Sequence, residues 1–213
     1  MVLMRAFIPL GLFLLMIGCS ASDPLMRPSL VSLHQPAPDS FQVEMMTSEG
    51  PFSLRLYREW SPLAVDRAYY LFENNFYEGA RFYRVVENFV AQFGGSGDPL
   101  MDAQWREMPI NDEPVRTSNV RGTLSFARAG ARTRSFTMFV NLKDNQFLDA
   151  DRGAANVTGF PPIGRVVHGM DVVDRLFSGY RDAPMRTDLS SVVLAAEYPE
   201  LDSISVTSIG RTW

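Results

Sequence analysis

Residues 82–95 read Phe-Tyr-Arg-Val-Val-Glu-Asn-Phe-Val-Ala-Gln-Phe-Gly-Gly, and no other stretch restricts the fold as much. Two short runs of period-two alternation meet at a tight corner. Phe82, Arg84 and Val86 alternate on the first, and Val90, Gln92 and Gly94 on the second. Strict alternation puts Arg84 on the face of Phe82 and Val86, and Gln92 on the face of Val90. An arginine among aromatics on a strand is an expensive core residue, because Arg is almost never buried without a partner. Two readings are open: a rim arginine with its head in water, or a cation aimed into a site.

The rest of the chain bounds the class. With 213 residues, 46% hydrophobic and 21% charged, it has the composition of an ordinary globular protein, of a length that suits one domain and a tail. A net charge of −4 argues against a nucleic-acid partner. Residues 1–18 read as a signal peptide, one Arg followed by an apolar run too short for a span of about 20 residues. The only cysteine, Cys19, closes that run. Met16-Ile17-Gly18-Cys19 resembles a bacterial lipobox, and the resemblance implies that Cys19 is the lipidation site and membrane anchor of a protein in the cell envelope facing the periplasm. The alternative is cleavage after Ala21 and release of a soluble periplasmic or secreted protein. Residues 19–40 carry Pro24, Pro28, Pro36 and Pro38 with no apolar period, and read as a lipid-attached flexible linker.

Residues 41–213 form the folded domain. Strands are expected over 41–46 and 52–57, a hairpin, then over 121–127, 135–141, 163–168 and 201–209. Ser61-Pro62 marks a helix start running to about Asn75. A second helix covers 172–177, and 190–198 reads as a short extra one. The polar stretch 100–120 reads as a loop across the surface. Hairpin strands without β-α-β alternation point to a mainly β fold, an antiparallel barrel with two helices.

Four motifs in order then carry a resemblance. F-x-R-V-x-x-x-F-x-x-Q-x-G-G at 82–95 is joined by Arg121-Gly122-Thr123-Leu124-Ser125-Phe126-Ala127, by Met138-Phe139-Val140-Asn141 with Asn145-Gln146-Phe147-Leu148-Asp149, and by Gly164-Arg165-Val166-Val167-His168-Gly169-Met170-Asp171-Val172-Val173-Asp174. From about 41 to 209 the chain resembles the cyclophilin family of peptidyl-prolyl isomerases, with a C-terminal extension at about 178–200 that resembles a bacterial branch. The resemblance implies a closed antiparallel eight-stranded barrel capped by two helices. It implies a monomeric enzyme that acts on proline-containing polypeptides and needs no cofactor or metal. It implies catalytic roles for Arg84, Phe89, Gln92 and Phe139, with Arg84 the donor and Gln92 holding it and bonding the peptide carbonyl. Substrate contacts would come from Val90, Leu148, Phe147 and Phe160 around the proline, and from Ala127 and Arg128 along the peptide backbone. Thr137 falls where the family carries a Gln that anchors substrate, Tyr83 where His is common, and Phe147 where many members carry the Trp associated with tight cyclosporin binding.

The chemistry suits those residue types. X-Pro bonds turn slowly because amide resonance imposes a barrier of about 18–20 kcal/mol. Twisting localises the lone pair on the prolyl nitrogen, so a fixed cationic donor aimed there stabilises the twisted state above either planar one. A non-catalytic peptide-binding module or chaperone using the same groove is the rival reading. Other signals carry less. Gly94-Gly95-Ser96-Gly97 lacks the Lys of a phosphate loop, His34 and His168 have no ligand-spaced partner, and Arg128, Arg132 and Arg134 read as a solvated basic turn. Asn156-Val157-Thr158 is a glycosylation sequon.

Overall fold

The computed structural model describes residues 23–150, 159–187 and 189–213. The leader with Cys19 and the sequon at Asn156 lie outside the described residues. In chain order the elements are α1 (Leu30–Leu33), β1 (Ser40–Thr47), β2 (Gly50–Tyr57), α2 (Pro62–Glu73), β3 (Arg81–Val86), β4 (Val90–Gly94), α3 (Pro99–Arg106), β5 (Thr123–Phe126), β6 (Met138–Asn141), β7 (Pro162–His168), α4 (Met170–Arg175), α5 (Ser191–Glu197) and β8 (Ile204–Thr212). Short 3-10 turns cover Gln146–Leu148 and Ala183–Arg186.

The eight strands form one antiparallel sheet in the order β3-β4-β6-β5-β7-β2-β1-β8. Period-two patterning builds its inner face. Phe41, Val43 and Met45 of β1, Phe52, Leu54 and Leu56 of β2, Ala91 and Phe93 of β4, and Met138 and Val140 of β6 all enter one core. Leu71 and Phe72 of α2 and Val172 and Val173 of α4 join it. Gly164 lets β7 lie against β2, since a Cβ there would sit 2.3 Å from the Arg55 carbonyl oxygen.

The sheet curls without closing into a full ladder, which corrects the closed barrel. Its edges, β3 and β8, meet only at a seam: an Arg81–Ser203 bridge with Phe82 N–H donating to the Asp202 carbonyl at 2.9 Å and Ile204 N–H to the Ala80 carbonyl at 2.8 Å. Beyond Phe82, side chains of the C-terminal extension cover the edge: Leu194 and Leu201 pack on Tyr83.

Two helices were expected as caps; the described residues hold five. The overlooked one of consequence is α3, placed in the stretch read as a surface loop. Asp98 caps it, its carboxylate accepting from Leu100 N–H at 2.8 Å, and Pro99 opens its first turn. It buries Trp105 against Tyr70 and Phe76, with ring centroids 5.7 and 5.8 Å away. Nor are the described residues of the linker free. Leu25 is buried, its carbonyl accepts from the Trp105 indole at 3.1 Å, the Tyr70 hydroxyl donates to the Pro24 carbonyl at 2.7 Å, and Ala37 N–H donates to Asp66 at 2.8 Å.

The start of α2 also differs from the sequence reading. The Ser61 side chain accepts no capping bond. Instead the Glu113 carboxylate, reaching in from the loop after α3, accepts from Leu63 N–H at 2.8 Å, Ala64 N–H at 3.1 Å and the Ser61 hydroxyl. Arg134 meets the same carboxylate at 3.2 Å and is wholly buried, so the basic turn is not a solvated one. Burial lowers the Arg134 pKa and Glu113 opposes the shift. Arg128 is inside as well, 3.6 Å from Asp112, and only Arg132 of the three is exposed.

Candidate active site

The outer face of β3, β4 and β6 carries the site. On β4, Ala91 and Phe93 point into the core, so Val90 and Gln92 point out; on β6, Met138 and Val140 point in, so Phe139 points out. Pairing aligns Arg84 with Gln92 and Gln92 with Phe139, which makes a row across three strands. Simple alternation had placed Arg84 on the face of Phe82. A register shift between Arg81 and Arg84 breaks that alternation: Phe82 and Val85 both enter the core, and Arg84 is left outside.

Val90, Phe139 and Leu148 form a small buried cluster, separate from the core, with Phe89, Ala127 and Phe160 packed on it. Phe160 meets Phe139 edge-on at 5.8 Å, and the half-exposed Phe147 stacks on Phe89 at 5.9 Å. The Arg84 guanidinium lies over the Phe89 ring, 5.3 Å from its centroid. Its Nη1 donates to Gln92 Oε1 at 3.2 Å and its Nε to Asp182 Oδ1 at 2.5 Å. Gln92 Nε2 donates to the Tyr83 hydroxyl at 2.7 Å. Burial raises the Tyr83 pKa, so the hydroxyl stays neutral and can orient Gln92.

Polar residues fix the rim. Asn145 donates to the Phe89 carbonyl and to Asn141 Oδ1, both at 2.8 Å, and so sets the 3-10 turn that presents Phe147 and Leu148. Asp149 accepts from the side chain of Asn119 at 2.7 Å, and the same amide donates to the Phe160 carbonyl at 2.8 Å. One asparagine therefore ties both sides of the rim together. A cavity of about 310 Å³ lies beside this cluster, sharing Ala127 with it and lined also by Tyr83, Gly94, Arg128 and Thr137, with Leu189 of the extension as part of its wall.

The structure thus brings Arg84, Phe89, Gln92, Phe139, Val90, Leu148, Phe147 and Phe160 together, while Ala127, Arg128 and Thr137 also line the adjoining cavity. Two details bear on the expected backbone contacts. Ala127 N–H is consumed by the Thr137 carbonyl at 2.9 Å, so it is not offered to a peptide. The Arg128 guanidinium lies 5.0 Å from the Phe160 centroid and beside Asp112, so its side chain also borders the pocket. The sequence reading assigned no role to Asn119, Asn141, Asn145, Asp149 or Asp182. Asn141, Asn145 and Asp149 stand inside a motif already quoted, a usable signal; Asn119 and Asp182 sit in irregular segments with none. Among the described residues no group of His, Cys, Asp and Glu could hold a metal, and no helix is long and apolar enough to cross a membrane.

The chain is a mainly β protein, a curled antiparallel sheet with an aromatic pocket and an anchored arginine on its outer face. Comparison with known proteins narrows that class. Residues 42–196 match the family described as cyclophilin type peptidyl-prolyl cis-trans isomerase/CLD, and the chain belongs to that family. A peptidyl-prolyl cis-trans isomerase of Acinetobacter baylyi is 36% identical over 149 residues, covering 69% of this chain and 76% of the relative. Peptidyl-prolyl cis-trans isomerase B of Escherichia coli is 31% identical over 136 residues, 63% of this chain and 82% of that one. The crystal structure of a cyclophilin-type isomerase from Cryptosporidium parvum superposes with a TM-score of 0.59 at 17% identity, covering 82% of this chain and 99% of that chain, a likeness of fold.

Proposed function

We propose that this isomerase turns X-Pro bonds with Arg84 as the donor to the prolyl nitrogen, acting on exported polypeptides from a lipid anchor at Cys19. The observation that carries the Arg84 role is its placement: a permanent cation, held by Gln92 over Phe89, beside the apolar cluster of Val90, Phe139 and Leu148. The proline ring packs in that cluster, where burying it costs no polar group its partner. The rest of the amide swings while the ring stays seated. As the bond twists, the prolyl nitrogen becomes pyramidal and basic, and the charged N–H of Arg84 bonds it more strongly than in either planar form. Planarity and fixed charge suit Arg to this better than Lys. A related structure from Cryptosporidium parvum was solved in the presence of the dipeptide Ala-Pro, a ligand of the chemistry this pocket fits. Export and anchoring are supported by the apolar leader and by the position of Cys19 at its end.

Cis-to-trans isomerisation of a short X-Pro peptide, measured with the wild-type chain and with Arg84→Ala, tests the reading. Acceleration by the wild type and a loss of about tenfold or more in the variant, about 1.4 kcal/mol of transition-state stabilisation, is expected. A wild-type chain that binds the peptide without accelerating its isomerisation makes the groove a clamp and refutes the mechanism.

A further inference from the structure

Asp182 lies in the C-terminal extension, 98 residues from Arg84 in sequence, and its Oδ1 is 2.5 Å from Arg84 Nε. The extension that carries it is well tied down. Leu194 and Leu201 are buried on Tyr83, the residue next to Arg84. The Tyr180 ring packs edge-on against Phe177 and Tyr198 at 5.1 and 5.0 Å, its hydroxyl donates to Glu200 at 2.6 Å, and Phe177 N–H donates to Asp202 at 2.7 Å. Asp182 is therefore delivered to the arginine by a packed segment.

We propose that Asp182 is a positioning residue of the isomerase centre, resting on the reading of Arg84 above. A guanidinium carries five N–H donors on a rigid plane, but the stem behind it is flexible. Gln92 alone supplies one neutral acceptor at 3.2 Å, a long bond about which the plane can still turn. Asp182 adds a charge-assisted bond on Nε, and two anchored nitrogens define the plane. Among the described residues nothing accepts from Nη2, which leaves that nitrogen for the substrate. A carboxylate also draws on the charge of the arginine. Because it is half-exposed, water screens that cost, and orientation decides the sign. The extension is thus a working part of the catalytic centre.

Asp182→Ala and Asp182→Asn, each compared with the wild-type chain in the X-Pro assay, test this. Asparagine can still accept from Nε; alanine cannot. Asp182→Ala is expected to lower kcat about three- to fivefold with KM within about twofold, the size of effect a half-exposed pair supports. Asp182→Asn should retain most of the rate, and Asp182→Ala should cost nothing further in an Arg84→Ala background. In 15N NMR the Arg84 Nε–H should exchange slowly in wild type and Asp182→Asn and lose that protection in Asp182→Ala, with the rest of the spectrum unchanged. An active wild type with Asp182→Ala equally fast or faster overturns the positioning role alone, as does a loss that persists without Arg84. A wild type that accelerates nothing instead overturns the function on which the role rests.

Discussion

Glu113 offers the sharpest test of how this fold supports its site. Its carboxylate serves two structures at once, the open N-terminus of α2 and the buried guanidinium of Arg134. Glu113→Ala leaves Arg134, which is fully buried, with the Asn111 carbonyl, the Ser61 hydroxyl at 3.5 Å and Asp112 at 3.8 Å as its remaining partners. Breaking a buried pair from one side costs about 3–5 kcal/mol, because the surviving charge loses its closest carboxylate with no water to replace it. Losing the acceptor for two helix N–H groups costs about 1 kcal/mol more. The two losses share one site and do not simply add, so a total of about 4 kcal/mol is expected. For a domain of this size that corresponds to a fall of about 8–16 °C in Tm. Urea unfolding, followed by tryptophan fluorescence with the m-value checked against wild type, is the assay. The paired variant Glu113→Leu with Arg134→Met removes both charges and should be less destabilised than Glu113→Ala alone. A loss below about 1 kcal/mol in Glu113→Ala, or a double variant worse than the single one, would refute the assignment of a buried ion pair.

Two further outcomes are expected. Burial raises the Asp102 carboxyl above its ordinary 3.8 against the pull of two bonds from Ser96, so its contribution to stability is present below the unfolded pKa and lost as pH rises through the folded one. Relative to wild type, Asp102→Asn should therefore look more stable at pH 7 than at pH 4 in urea melts; an equal or opposite difference sinks the linkage. Metabolic labelling with a fatty acid should mark the wild-type chain and not Cys19→Ala, and an unlabelled wild type removes the anchor.

Legibility in the sequence followed the range of the interactions. β1 and β2 were plain because Phe41, Val43 and Met45 and then Phe52, Leu54 and Leu56 alternate without interruption, and one buried face is a local pattern. The pocket residues were named because their motifs are compact: Val90 to Gln92 and Phe139 stand on paired strands, with Phe89 in the turn before β4, so their order in the chain carries over into space. One inserted residue in β3 was enough to put Arg84 on the wrong face, since a bulge changes every later phase and leaves no mark in composition. The buried arginines failed for a related reason. Nothing near Arg134 or Arg128 in sequence says that Asp112 and Glu113 will arrive from an irregular loop about 20 residues earlier, and without those partners exposure is the correct expectation. Helix α3 was signalled by Asp98-Pro99 as clearly as α2 by Ser61-Pro62, yet polar residues on its outer side masked the stripe that buries Trp105. Asp182 is the limiting case. A carboxylate on a turn has no periodicity and no spacing to its partner, and it is tertiary packing, Leu194 and Leu201 on Tyr83 among it, that brings it to Arg84. The pocket residues and Gln92, one partner of Arg84, can therefore be read from short motifs, while its other partner, Asp182, comes from a segment that only the folded chain brings near.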